Sequence, residues 1–276
     1  MLERIKFQLK KLLLKLKIVK GNNPSFFIIG AQKAGTTSLF NYIKEYADNF
    51  VSPRKKELYF FTEFYSKGIN WYKANFPLRM KPGDITGEAT PDYLFFPFAA
   101  KRMVEHYPHA KIIVMLRNPI DRAYSQYNFQ NNTNKTRAYD PLPFKKALLK
   151  EDERLRKEQK AVENGELTYV YKYFSYIHRG FYSDQLKNLY CYYPKEQVMI
   201  IESNQLFQNT DDTLKQVFDF LGLRSNGVKR EYKAYNETHK ENLPEDAKEL
   251  LRSIFKEKNE ELFVLLDKRF DWDKEG

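Results

Sequence analysis

Apolar positions along the chain fall into two periods. Four short runs, at 26–29, 111–116, 197–201 and a weaker one at 84–87, are continuous and do not alternate with polar residues. That is the pattern of strands covered on both faces, as in a buried parallel sheet. Between them, spacings of three and four predict helices over 37–46, 95–107, 120–130, 182–193 and 210–221. Strands alternating with helices predict an α/β fold, a central parallel sheet of P-loop-like type flanked by helices.

The ends of the chain differ from its middle. In "MLERIKFQLKKLLLKLKIVKG", Leu2, Ile5, Leu9, Leu12, Leu16 and Val19 share one helical face with lysines between them. The longest apolar run is three leucines, so this segment is a basic amphipathic helix over 1–22 and cannot span a bilayer. It either packs on its own domain or a partner, or lies on a membrane surface. The stretch 131–168 begins with "NNTNKTR" and continues through a run of charges, which predicts a mobile excursion containing a solvated helix. Near the end, "LPEDAKELLRSIFKEKNEELFVLLDKRF" predicts a long amphipathic helix opened by Pro244 and two acids. The remainder, 23–276, is expected to be one domain.

Composition supports that count and adds a partner. With 276 residues, 42% of them hydrophobic, the chain can bury one sizeable core. A formal charge of +11 points to an anionic partner, whether nucleic acid, phosphorylated cofactor, acidic glycan or lipid surface. The single cysteine, Cys191, excludes an intrachain disulfide and fits a cytoplasmic setting, with contact at a membrane periphery left open by the N-terminal helix. The four histidines lack zinc-site spacing, and no metal is expected.

The chemistry concentrates in "FFIIGAQKAGTTSLF". A strand, a glycine-rich turn and a helix start point free backbone amides at an anion. Gly30 and Gly35 allow close backbone approach, Gln32 and Ala34 lie in the turn, and Thr36, Thr37 and Ser38 add hydroxyls. A P-loop NTPase needs a lysine after the second glycine. Thr36 stands there, and the lysine is Lys33, three positions earlier. A second signal follows the strand "KIIVML", where Arg117 occupies the strand end and Ser125 lies eight residues on, behind Asn118 and Pro119 as helix cap and first residue.

"GAQKAGTTSL" resembles the 5′-phosphosulfate loop of sulfotransferases that use 3′-phosphoadenosine 5′-phosphosulfate (PAPS), and "KIIVMLRNPIDRAYSQY" resembles their 3′-phosphate motif. "KKELYFF", "KGINWYKANFP", "GEATPDYLF" and "GFYSDQLKNLYCYYP" are similar to the glycan-type and bacterial branch, which includes heparan sulfate sulfotransferase domains. The resemblance implies metal-free, in-line transfer of a sulfuryl group to a hydroxyl or amine, leaving the spent cofactor PAP. It implies Lys33 at the leaving oxygen, Arg117 and Ser125 on the 3′-phosphate, and Glu57 as general base. Tyr182 is expected at the adenosine, or else as a core tyrosine. Lys233 and Lys240, in "VKREYKAYNETHK", are expected in the loop that closes over the 3′-phosphate.

One departure bears on the acceptor, a glycan or small molecule. Ala89 stands where glycan-acting members commonly carry a lysine, which argues against a heparan-like acceptor. Two other classes compete. A P-loop phosphotransferase would need a lysine at position 36 and a magnesium-binding acid. A non-enzymatic binder of nucleic acid or membrane leaves the loop and the Arg117–Ser125 spacing unexplained, and the reading adopted takes nucleic acid not to be a partner.

Overall fold

The computed structural model describes residues 2–131, 138–228, 231–232 and 242–272. Helix α1 (Leu2–Lys15) leads into β1 (Phe26–Gly30), α2 (Thr36–Tyr46) and the short α3 (Ile69–Lys73). Then come β2 (Gly87–Ala89), α4 (Asp92–Phe95), α5 (Pro97–His106), β3 (Lys111–Leu116) and α6 (Pro119–Asn131). Beyond them lie α7 (Phe144–Glu163), α8 (Tyr169–Tyr173), α9 (Tyr182–Tyr190) and β4 (Val198–Glu202). The last helices are α10 (Ser203–Gln208), α11 (Thr210–Leu221) and α12 (Glu245–Leu266).

The strands form a parallel sheet in the order β2-β1-β3-β4. Phe26 lies opposite Gly87 on one side and Lys111 on the other, while Ile112 to Leu116 pair with Val198 to Glu202. Every residue of β1 and β2 is buried, and so is β3 apart from Lys111. This explains why their sequences show no alternation. Because all strands run the same way, β1, β2 and β3 deliver the segments that follow them to one edge of the sheet, where open α/β folds bind ligands.

Most predicted elements are present, with shifts that have local causes. The weak strand expected at 84–87 lies at 87–89 instead. Ile85 pairs outside the sheet, donating its amide to Asn49 O and accepting from Val51 N–H, both at 2.8 Å. The helix expected over 95–107 runs from 97 to 106, with the separate short α4 before it. Pro97 holds the preceding Phe96 extended (φ −78°, ψ 116°), so α4 ends and α5 starts there.

The excursion at 131–168 does not carry a helix solvated on all sides. Phe144, Ala147 and Leu148 of α7 are buried in a second core with Ile120, Ala123, Tyr176, Leu251 and Phe255. The fully buried Glu151 accepts the amides of Tyr176 and Ile177 at 2.7 Å and of His178 at 2.9 Å. Apart from the buried Glu151, the charge run that suggested solvation marks the outer face of this helix.

Glu151→Ala would strand three backbone donors, two of them fully buried, and is expected to cost about 2–4 kcal/mol. Urea unfolding checks this; a loss below about 1 kcal/mol would contradict the anchoring role.

Candidate active site

The turn after β1 holds its shape by unusual backbone conformations. Lys33 (φ 69°) and Gly35 (φ 92°) are both left-handed. A side chain at Gly35 would also meet Met115 and Phe207 at 3.2 Å, and one at Gly30 would fall 2.6 Å from Leu94 Cβ. The turn is pinned below by Ala31 N–H donating to Met115 O at 2.6 Å and inside by Ala34 N–H donating to Ala31 O at 3.2 Å. Gly35 caps α2 without a side-chain hydrogen bond, so the first-turn amides of Thr36, Thr37 and Ser38 are left for a ligand.

The hydroxyls of the triplet are not equivalent. Thr37 is half-buried, Thr36 is 4% exposed and Ser38 is fully buried, with an Oγ that has no hydrogen-bond partner. Ser38 thus has an unmet hydroxyl as well as a first-turn amide. Gln32 also has a buried side-chain oxygen without a partner, the kind of polar group that a bound ligand satisfies.

Arg117 follows β3 and reaches back to the turn, its Nη1 donating to Lys33 O at 3.2 Å. Asn118 caps α6 by accepting Ile120 N–H at 3.0 Å, which sets Ser125 two turns along, 6% exposed. Tyr182 is buried and donates its hydroxyl to Arg117 O at 2.9 Å, so it fixes the arginine's backbone. Burial pushes the Tyr182 pKa up to about 12, against the pull of the Arg122 and Arg117 charges. Lys33 extends its ammonium over the Phe129 ring of α6, 4.3 Å from the centroid. Lys233 and Lys240 lie outside the described residues.

Glu57 arrives from a different direction. It too is left-handed (φ 62°), and its amide donates to Ala89 O at 3.1 Å. Leu58 N–H donates to Thr90 Oγ1 at 3.1 Å and Phe60 N–H to the Tyr93 hydroxyl at 2.8 Å. These bonds bolt the segment to the end of β2, while Leu58, Phe60 and Phe61 sink into the core. The Glu57 carboxylate stays a third exposed, gripped by Lys56 Nζ at 2.5 Å on one oxygen and by the Tyr59 hydroxyl on the other. Burial and the Glu57 charge hold the Tyr59 pKa far above that of a free phenol.

Three residues near Glu57 had no reading in the sequence. Tyr59 was hidden in an apolar run. Lys172 of α8 lies 4.6 Å over the Tyr59 ring and pairs with Glu63 at 2.6 Å. Burial works against its charge, but Glu63, Asp92 and Tyr173 outweigh that and leave its pKa raised. The third is Glu88, fully buried on β2. Burial raises its pKa from 4.5 to about 8. The Tyr93 and Tyr72 hydroxyls and the Leu58 amide oppose the rise, yet none completes a well-formed hydrogen bond to either oxygen. The aromatic–cationic run "YVYKY" was the one visible sign of Lys172.

A glycine-rich turn opening a helix, a strand-end arginine and a carboxylate thus gather at the carboxyl edge of a parallel sheet, where open α/β folds bind ligands. The family described as "Sulfotransferase domain" matches residues 23–274, and the chain belongs to it. A crystal structure of a sulfotransferase from Alicyclobacillus acidocaldarius superposes with a TM-score of 0.72 at 27% identity, covering 92% of this chain and 100% of that one. The chain is 26% identical to the "Membrane-associated sulfotransferase kil1" of Dictyostelium discoideum, over 90% of its own length and 66% of the relative's. It is 31% identical to the mouse "Heparan sulfate glucosamine 3-O-sulfotransferase 6", over 73% of its own length and 53% of that protein's. The chain thus spans between half and two thirds of these curated relatives.

Glu88 gives the site a pH signature. Between pH 4.5 and about 8 the folded chain keeps a proton that the unfolded chain has lost, so stability is full below pH 4.5 and falls as pH rises. The slope from this group reaches at most about 1.4 kcal/mol per pH unit. Glu88→Gln is expected to remove it, raising the melting temperature at pH 8 more than at pH 5. An equal change at both pH values would contradict the buried, protonated state.

Proposed function

We propose that this chain transfers a sulfuryl group from PAPS to a hydroxyl or amine of an acceptor, a glycan or a small natural product. The observation that carries this reading is the Arg117–Lys33 contact, which brings an anion-binding turn and a second anion-binding strand end together at one sheet edge. When bound, PAPS supplies an activated sulfuryl group, and its displacement leaves negative charge on the 5′-phosphate oxygen.

The residues present fit such a donor. The first-turn amides of α2, Thr36, Thr37 and Lys33 supply positive potential for the 5′-phosphate end. Gly30, Gln32, Ala34 and Gly35 shape the turn, and Ser38 adds its amide. Arg117 offers a guanidinium fork to the 3′-phosphate, with Ser125 beside it as a hydroxyl donor. Glu57 accepts the acceptor's proton, with Lys56 and Tyr59 fixing the carboxylate's orientation. Lys233 and Lys240 remain candidates for covering the 3′-phosphate.

The heparan sulfate named in the curated relative supports a glycan acceptor. Ala89 departs from that pattern, but it is fully buried with its carbonyl on Glu57 N–H. The cations beside the base come instead from Lys56 and Lys172. Each is paired with a carboxylate, Lys56 with Glu57 and Lys172 with Glu63, so this side adds polar partners and the Tyr59 ring, which suit a sugar, rather than net positive charge.

Transfer of label from sulfur-labelled PAPS to desulfated glycans and to small alcohols tests the reaction. Glu57→Gln is expected to lower the rate by about 10²–10⁴-fold while binding PAP as the parent does. A variant that turns over normally would contradict Glu57 as the base.

A further inference from the structure

The N-terminal helix has two apolar faces. Phe7 and Leu14 of α1 are buried against Ala74, with Trp71 and Val19 packed around them. The Arg54 guanidinium lies over the Phe7 ring at 4.8 Å, and Lys10 donates to Phe76 O. This is the side seated on the domain. Of the stripe that the sequence marks as its apolar face, Val19 packs inward, but the run from Ile5 to Leu16 points the other way. Ile5, Leu9, Leu12 and Leu16 are 55%, 54%, 50% and 58% exposed, and Ile18 beyond the helix is 63% exposed. Their spacing of four, three and four makes one continuous ridge, opposite the Phe7–Leu14 seam.

The ridge is flanked by charge of one sign. Arg4, Lys11 and Lys15 lie along one border and Lys6 along the other, with Lys17 and Lys20 following, while Lys10 is turned to the domain. Seven of the chain's 47 lysines and arginines fall in the first 20 residues, against one acid, Glu3. An apolar ridge between cationic borders matches the boundary between acyl chains and anionic headgroups of a bilayer. A second copy of the same face would set these cations against one another. The helix has 14 residues, about 21 Å at 1.5 Å each, too short to cross a hydrocarbon core of about 30 Å. No described helix is long and apolar enough to do so.

We propose that the outer face of α1 docks the protein on an anionic lipid surface, with Ile5, Leu9, Leu12 and Leu16 entering the interface and the flanking lysines meeting headgroups. The docked helix shares its platform with the segment that carries Glu57. Arg54 stacks on Phe7, donates its amide to Asn75 O at 2.8 Å, and stands three residues before the carboxylate. Docking therefore holds the acceptor side of the site in fixed relation to the membrane, which suits an acceptor borne on the lipid surface.

Vesicle flotation of the full chain tests this, with phosphatidylcholine alone and with phosphatidylcholine mixed with phosphatidylserine. Binding is expected to the mixed vesicles, weaker at high salt and on neutral vesicles. The double variant L9S/L12S is expected to lose it roughly tenfold or more. Its melting temperature and PAP binding should match the parent, because neither leucine touches the domain core. Equal flotation of parent and variant would overturn the proposal. So would absence of binding to either vesicle, or a concentration-dependent dimer in the parent that the variant lacks. None of these results depends on the sulfuryl-transfer reading, which PAP binding tests separately.

Discussion

Arg117 donating to the Lys33 carbonyl is the contact on which the site depends. It ties the strand end after β3 to the turn after β1, so the two segments proposed to hold the donor form one surface. Sheet order makes this possible, because β1 and β3 are direct neighbours running the same way. The arginine is then held from behind. Tyr182 bonds its carbonyl, and Asn118 both caps α6 and donates to Trp272 O at 2.9 Å. The C-terminal segment is thereby recruited to support a residue some 155 positions earlier (Trp272 against Arg117).

Backbone strain collects at the same edge. Among the described residues, five that are not glycine have positive φ, and three of them are Lys33, Glu57 and Tyr59. Each left-handed residue of this kind costs roughly 1–2 kcal/mol. The conformations persist because the surroundings over-determine them. Lys33 O is bonded by Arg117, Glu57 N–H by Ala89, and Tyr59 lies between Leu58 and Phe60, both bonded to the β2–α4 corner. The strain buys orientation, presenting a lysine and a carboxylate where regular strands or helices would turn them away.

The sheet and the conformation of the turn and strand end proposed to hold the donor were legible in the sequence because their signals are local. Continuous apolar runs at β1 and β3, the glycine and hydroxyl spacing of the turn, and the Arg117–Asn118–Pro119 sequence all act within a few residues. The acceptor side was less legible. Lys172 meets Tyr59 across more than a hundred positions, and no period in the chain announces such a pairing. Glu88 lies just past the weak strand expected at 84–87, and only burial under the aromatic cluster of Tyr72 and Tyr93 reveals its state. The N-terminal helix shows the converse. Its apolar stripe was plain, but the domain takes the smaller Phe7–Leu14 face and leaves the larger one outward.

The donor-binding surface is the central claim, and it makes a demand that no ordinary nucleotide site makes: the 3′-phosphate must be read. Calorimetric binding of PAP, with adenosine 5′-monophosphate as the control, measures that demand directly. The account predicts tight binding of PAP alone, lost by about tenfold or more in Arg117→Ala, since a charge-assisted pair of this kind contributes roughly 1.5–3 kcal/mol. Equal binding of the two nucleotides, or an Arg117→Ala variant that binds PAP as the parent does, would contradict it.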